Sequence, residues 1–145
     1  MSLSSCVPIV SRAVPPAEFV SPPTLSRPAG YSHVVSFTPG RIVWTSGQIP
    51  VAADGTVAPA GDWEAQTRLV FENVGHALTA GGAAWSDVVK LTYYLVDLDG
   101  LPVVRTVRDS FIDASRPPTS SLVKVAGLVL PELLLEIEAV ACVAG

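Results

Sequence analysis

Glu136 and Glu138 stand two residues apart in an apolar run, a spacing that puts both carboxylates on one face of a strand. Paired carboxylates at a cleft can divide acid and base work, one holding a proton while the other prepares a water for attack. Spacing alone does not choose between them; the plainer expectation for Glu138 is that it faces solvent or a neighbouring subunit. Upstream, Thr45-Ser46-Gly47-Gln48-Ile49-Pro50 and Arg116-Pro117-Pro118-Thr119-Ser120-Ser121 offer hydroxyls beside turn residues. No motif places a histidine near Ser46, so a Ser-His-Asp nucleophile finds no support and a hydrogen-bonding role is expected. Ser120 and Ser121 read as cleft-lining or turn-stabilising hydroxyls. Arg105 lies off the apolar stripe of its helix; the simplest expectation is an i,i+4 pair with Asp109. Lys90, inside an apolar strand, is expected to reach the rim or to meet an acid.

These groups need elements to position them. Residues 32–37 and 41–48 read as strands around Pro39-Gly40, which is hairpin punctuation. Asp62 can cap a helix over 63–80, with Val70, Val74, Ala77 and Leu78 inward and Gly81-Gly82 as its stop. A strand over 88–96 leads to a helix over 101–114, whose inward stripe is Leu101, Val104, Val107 and Phe111. In the Tyr93-Tyr94 pair the rings point to opposite faces, so at most one can line a cleft. Pro117-Pro118 forces an extended turn, and strands over 122–128 and 133–143 complete the chain. The order β-β-α-β-α-β-β predicts an α+β fold, a mixed sheet with two helices on one face. The other face then needs a cover, and subunit association is the simplest one.

The composition narrows the function. At 145 residues the chain is one domain, and 49% hydrophobic against 15% charged is apolar enough to favour an oligomer. A net charge of -4, with Lys90 and Lys124 the only lysines, leaves no basic stripe for nucleic acid. No uninterrupted apolar run is long enough to span a membrane. Cys6 and Cys142 make neither a disulfide framework nor a metal quartet, and His33 and His76 lack ligand spacing. No glycine pattern cradles a nucleotide phosphate, so no cofactor or metal is implied. Residues 1–30 carry Pro8, Pro15, Pro16, Pro22, Pro23 and Pro28 and no signal-peptide pattern. They read as an extended arm, packed on the domain or partly disordered, ahead of a domain over 31–145; a cytoplasmic location follows by default.

In combination, four motifs carry a resemblance: Ser46-Gly47-Gln48-Ile49-Pro50; Ala65-Gln66-Thr67-Arg68 leading to Glu72-Asn73-Val74; Asp87-Val88-Val89-Lys90-Leu91-Thr92; and Glu136-Ile137-Glu138-Ala139. From about Tyr31 onward the chain resembles the RidA/YjgF family of small imine deaminases. The resemblance implies a chorismate-mutase-like fold, a homotrimer with a central barrel, and clefts between subunits. It also implies cofactor-independent hydrolysis of 2-imino or enamine acids to keto acids and ammonia. On that pattern Tyr31 packs over substrate, Ser46 lines the cleft and Glu136 holds the water. Ser120 stands where the family carries its substrate-binding arginine, Leu122 replaces a cysteine or small polar residue, and Arg105 falls where an asparagine is common. The segment from Leu128 to Glu136 is one residue longer than in arginine-bearing members. Serine cannot neutralise a carboxylate, and losing a charged hydrogen bond costs about 1.5–3 kcal/mol. Activity on ordinary 2-imino acids is therefore expected to be weak or absent, with Arg105 as the candidate replacement cation. A non-catalytic sensor or binding protein for keto acids or other small metabolites is the alternative. A ribonuclease, a label some family members carry, suits the acidic charge least.

Overall fold

The Asp62 side chain starts the first helix, its Oδ1 accepting from the Ala65 amide at 2.9 Å. The computed structural model describes residues 17–38 and 40–145. Its elements are β1 (Glu18–Val20), β2 (Val34–Ser36), β3 (Arg41–Trp44), α1 (Trp63–Ala80), β4 (Val88–Leu95), α2 (Leu101–Arg108), β5 (Thr119–Lys124) and β6 (Leu135–Val143). A short 3-10 turn over Trp85–Asp87 leads into β4.

The main sheet has the order β3-β6-β4-β5. β6 runs antiparallel to both its neighbours, and β4 is parallel to β5. Alternation fixes the faces. Leu91, Tyr93 and Leu95 of β4 and Leu135, Ile137, Ala139 and Ala141 of β6 are buried against Val70, Phe71, Val74 and Leu78 of α1 and Val104 and Val107 of α2. Both helices thus cover one face of a mixed sheet, the α+β arrangement that the element order predicts. Gln66, buried on α1, ties the helix to the β5–β6 connection: its side chain donates to the Glu132 and Pro59 carbonyls and accepts from the Leu134 amide at 2.8 Å.

Three expectations need correction. The hairpin across Pro39-Gly40 does not form: β2 pairs with β1, and β3 pairs with β6. Pro39 itself lies outside the described residues. A Pro-Gly step marks a change of direction without choosing a partner; β6 offers β3 a register that puts Val43 against Ala141 on the buried face. The second helix ends at Arg108, six residues before the expected Ala114, where 3-10-type bonds from Ser110 to Val107 and from Phe111 to Arg108 tighten the chain. β5 begins at Thr119, because the extended Pro117-Pro118 step feeds directly into pairing with β4.

The end of the arm is anchored. β1 pairs with β2, and the Arg116 guanidinium sits 4.9 Å from the centre of the Phe19 ring. Residues 1–16, which hold most of the expected arm, lie outside the described residues.

Candidate functional site

Two short hydrogen bonds bring together residues far apart in sequence. The Ser32 hydroxyl donates to the Pro117 carbonyl at 2.7 Å, and the Ser32 amide to the Pro118 carbonyl at 3.1 Å. They fasten Tyr31 beside the entry to β5. Ser120 pairs laterally with Leu91 and therefore faces the helices. Tyr31, Arg105 and Ser120 line one cavity of about 230 Å³, together with Tyr93, Arg108 and Leu122. Three of the residues singled out from sequence thus share a pocket within a single chain.

Glu136 and Ser46 lie elsewhere. Glu136 pairs with Tyr94 on the face opposite the helices. Reciprocal bonds between Gln48 and Ile137, at 2.8 and 3.0 Å, hold the Ser46-Gly47 segment alongside β6. A Cβ built on Gly47 would fall 1.9 Å from Glu136 Oε1, so only glycine lets the carboxylate lie against the chain there. On the same face the Tyr94 hydroxyl donates to Glu138 Oε1 at 2.6 Å, which pushes the phenol pKa above its ordinary value. Lys90 donates to the Ser121 hydroxyl at 2.6 Å and meets no acid among the described residues.

That open face is apolar at both edges: Trp44 is 74% exposed and Ile42 52% on β3, and Val123 is 45% exposed on β5. The first two project beside Val140 and Cys142 of β6. The candidate site residues therefore divide: Tyr31, Arg105 and Ser120 on the helix side, Ser46 and Glu136 on the open side.

The expected Arg105–Asp109 pair is absent. Asp109 caps α2, and its carboxylate turns instead to its neighbour, with Arg108 Nη2 at 2.8 Å and Nε at 2.9 Å. Arg108 is the site residue that sequence reasoning missed. Arg105 and Arg108 stand at i and i+3, on one side of the apolar stripe that starts at Leu101, and this spacing is the available signal. Tyr93 lines the same cavity. It is 3% exposed, and its hydroxyl has no partner among the described residues. Burial drives its pKa upward, partly offset by the Arg108 charge. No cluster of three or more metal-binding side chains occurs among the described residues, and no helix among them is long and apolar enough to cross a membrane.

The fold agrees with what the chain is similar to. Residues 24–143 match the family model described as endoribonuclease L-PSP. The 3-aminoacrylate deaminase RutC of Acinetobacter baylyi is 33% identical over 126 residues, 87% of this chain and 98% of that protein. A conserved Rid-family protein of Yersinia pestis, YyfB, superposes with a TM-score of 0.80 at 34% identity, covering 88% of this chain and 98% of that one. The structure of Escherichia coli TdcF with bound serine aligns at 39% identity and a TM-score of 0.65, covering 72% of this chain and 83% of that one. The chain belongs to the RidA/YjgF family and has its α+β fold.

Proposed function

We propose that three copies of this chain associate through the open sheet face, and that each crevice between copies forms a hydrolytic site for small imines or enamines. The observation that carries this reading is the division of the candidate residues between two faces of one sheet. A side chain on the open face cannot reach a cavity on the helix side of its own chain. A neighbouring copy can bring its Ser46-Gly47 segment and Glu136 to the cavity lined by Tyr31 and Ser120. The exposed Trp44 and Ile42 supply apolar surface for that association. The TdcF relative, whose structure carries serine, supports a small amino-acid-like occupant.

In this site Glu136 takes a proton from a water as its oxygen adds to the C=N carbon. The nitrogen receives that proton, giving a carbon that bears a hydroxyl and an amino group; the hydroxyl proton then passes to nitrogen as the C–N bond breaks, leaving a C=O group and ammonia. No cofactor enters the step. Tyr31 packs over the substrate, Ser46 and Ser120 donate hydrogen bonds, and Arg105 sits at the rim as a cation. With serine at position 120, an acid whose carboxylate sits on the reacting carbon lacks a forked partner, so ordinary 2-imino acids turn over weakly or not at all.

Semicarbazone formation tests this reading, with imines generated in place by an amino-acid oxidase and enamine acids supplied directly. The reading expects faster decay of an enamine or imine that vanishes in Glu136→Gln. The same serine favours a second reading, a binder without turnover. No acceleration on any imine or enamine, with saturable quenching of tryptophan fluorescence by keto acids, would establish that one instead.

A further inference from the structure

The site has not lost its cation; the cation has changed element. We infer that Arg108 of α2, steered by Asp109 and assisted by Arg105, binds the carboxylate of a monoanionic ligand in the 230 Å³ cavity. The inference deepens the preceding reading by naming the class of ligand and its anchor.

Arg108 is placed and held. Its side chain is 12% exposed, and the Asp109 carboxylate holds one edge of its guanidinium through Nε and Nη2. A planar fork fixed on one edge by a carboxylate presents its remaining N–H groups in a set direction. From the arm, Gly30 closes over it with a φ of +77°, and a Cβ there would lie 2.2 Å from Arg108 Nη2. The chain thus uses the one residue type that tolerates both the backbone angle and the contact. Tyr93 forms part of the cavity wall, with its hydroxyl buried away from the open space.

The charges indicate a monoanion. Arg105 and Arg108 line the cavity and Asp109 pairs with Arg108, so the three side chains together present one net positive charge to the ligand. Position matters as much as sign. Ser120 lies on β5 and the guanidinium groups lie on α2, with the cavity between. An anion on Arg108 is therefore displaced towards α2 from where a side chain at 120 would hold it. A ligand that still presents its reacting carbon at the crevice needs spacer atoms between that carbon and its carboxylate. The fitting class is a small acid whose imine, enamine or carbonyl carbon is separated from the carboxylate, rather than a 2-imino acid.

Calorimetric titration tests this with three probes: 4-oxopentanoate, its methyl ester, and 2-oxobutanoate. The expected result is saturable binding of 4-oxopentanoate at least tenfold tighter than 2-oxobutanoate, with none for the ester. Arg108→Gln should weaken it about tenfold to a hundredfold, the scale of a lost charged hydrogen-bonded contact. Arg108→Lys should restore part of the loss. Should Arg108→Gln fail to fold, the lysine variant, expected to bind severalfold more weakly than the unaltered chain, decides. Unchanged binding in the folded Arg108 variants, equal binding of the ester, tighter binding of 2-oxobutanoate, or no binding of 4-oxopentanoate would overturn the inference. Its failure is distinct from failure of the hydrolytic reading. Glu136-dependent turnover without Arg108-dependent binding would remove only the anchor. Arg108-dependent binding by a chain with no turnover would remove only the chemistry.

Discussion

The two faces of the central sheet carry opposite chemistry. The helix side holds a cavity edged by guanidinium groups and a buried phenol. The open side holds Glu136, Glu138 and a stripe ending in the exposed Trp44. A hydrolytic site for an anionic imine needs both, a cation to seat the acid and a carboxylate to prepare water. One chain keeps them apart by the thickness of a sheet. Separation by face also spares each copy an unproductive ion pair between its own Arg108 and Glu136. If the proposed association holds, the unit of function is larger than the unit of folding: packing completes the fold in one chain, and the proposed reaction waits for a second.

Breaking the open face should have the largest effect. Trp44→Glu puts a charge into the apolar stripe, and sedimentation equilibrium should fall from three times the 15.1 kDa chain mass to a single chain. Next comes Glu136→Gln, which keeps the shape and removes the base; turnover should drop about 10²–10⁴-fold while the assembly mass stays constant. Gly47→Ala tests the same half from the backbone side. The added methyl meets Glu136 Oε1, the mobile end of a side chain, so the carboxylate should move while the fold survives. Turnover should fall by at least about tenfold with little change in melting temperature.

Smaller effects sharpen the account of the helix side. Gln66→Ala leaves the Glu132 and Pro59 carbonyls and the Leu134 amide without their side-chain partner, and urea unfolding should show a loss of about 2–4 kcal/mol. Tyr93→Phe should change how stability depends on pH. The folded-state pKa of Tyr93 lies above the unfolded value of about 10, so its contribution is complete below that pH and is lost as pH rises through the folded value. The variant's stability should decline less steeply above pH 10 than that of the unaltered chain.

The sequence made the sheet legible because its signals were local and redundant. Val88–Leu95 and Leu135–Val143 alternate cleanly, and Asp62 with Gly81-Gly82 brackets α1. Strand partners were less legible: β2 and β3 each read as a strand, but nothing in Val34–Ser36 told that it would take β1 as its partner. Within the site, Tyr31 and Ser120 were singled out by resemblance, and their shared cavity depends on the Ser32 bonds across the Pro117-Pro118 turn. Arg108 escaped notice because the apolar stripe of α2 drew attention to Val104 and Val107. Its orientation depends on Gly30 and Asp109, a contact no periodicity encodes.

The split site itself can be tested without assuming any turnover. In a background of Cys6→Ser and Cys142→Ala, chains carrying both Ser120→Cys and Glu136→Cys would be treated with a short bismaleimide and run under denaturing conditions. Because the two positions face opposite sides of one sheet, the reagent cannot join them within a chain. Covalent dimers and trimers, absent from either single variant, are the predicted result; chains that remain single after full reaction would contradict a site shared between copies.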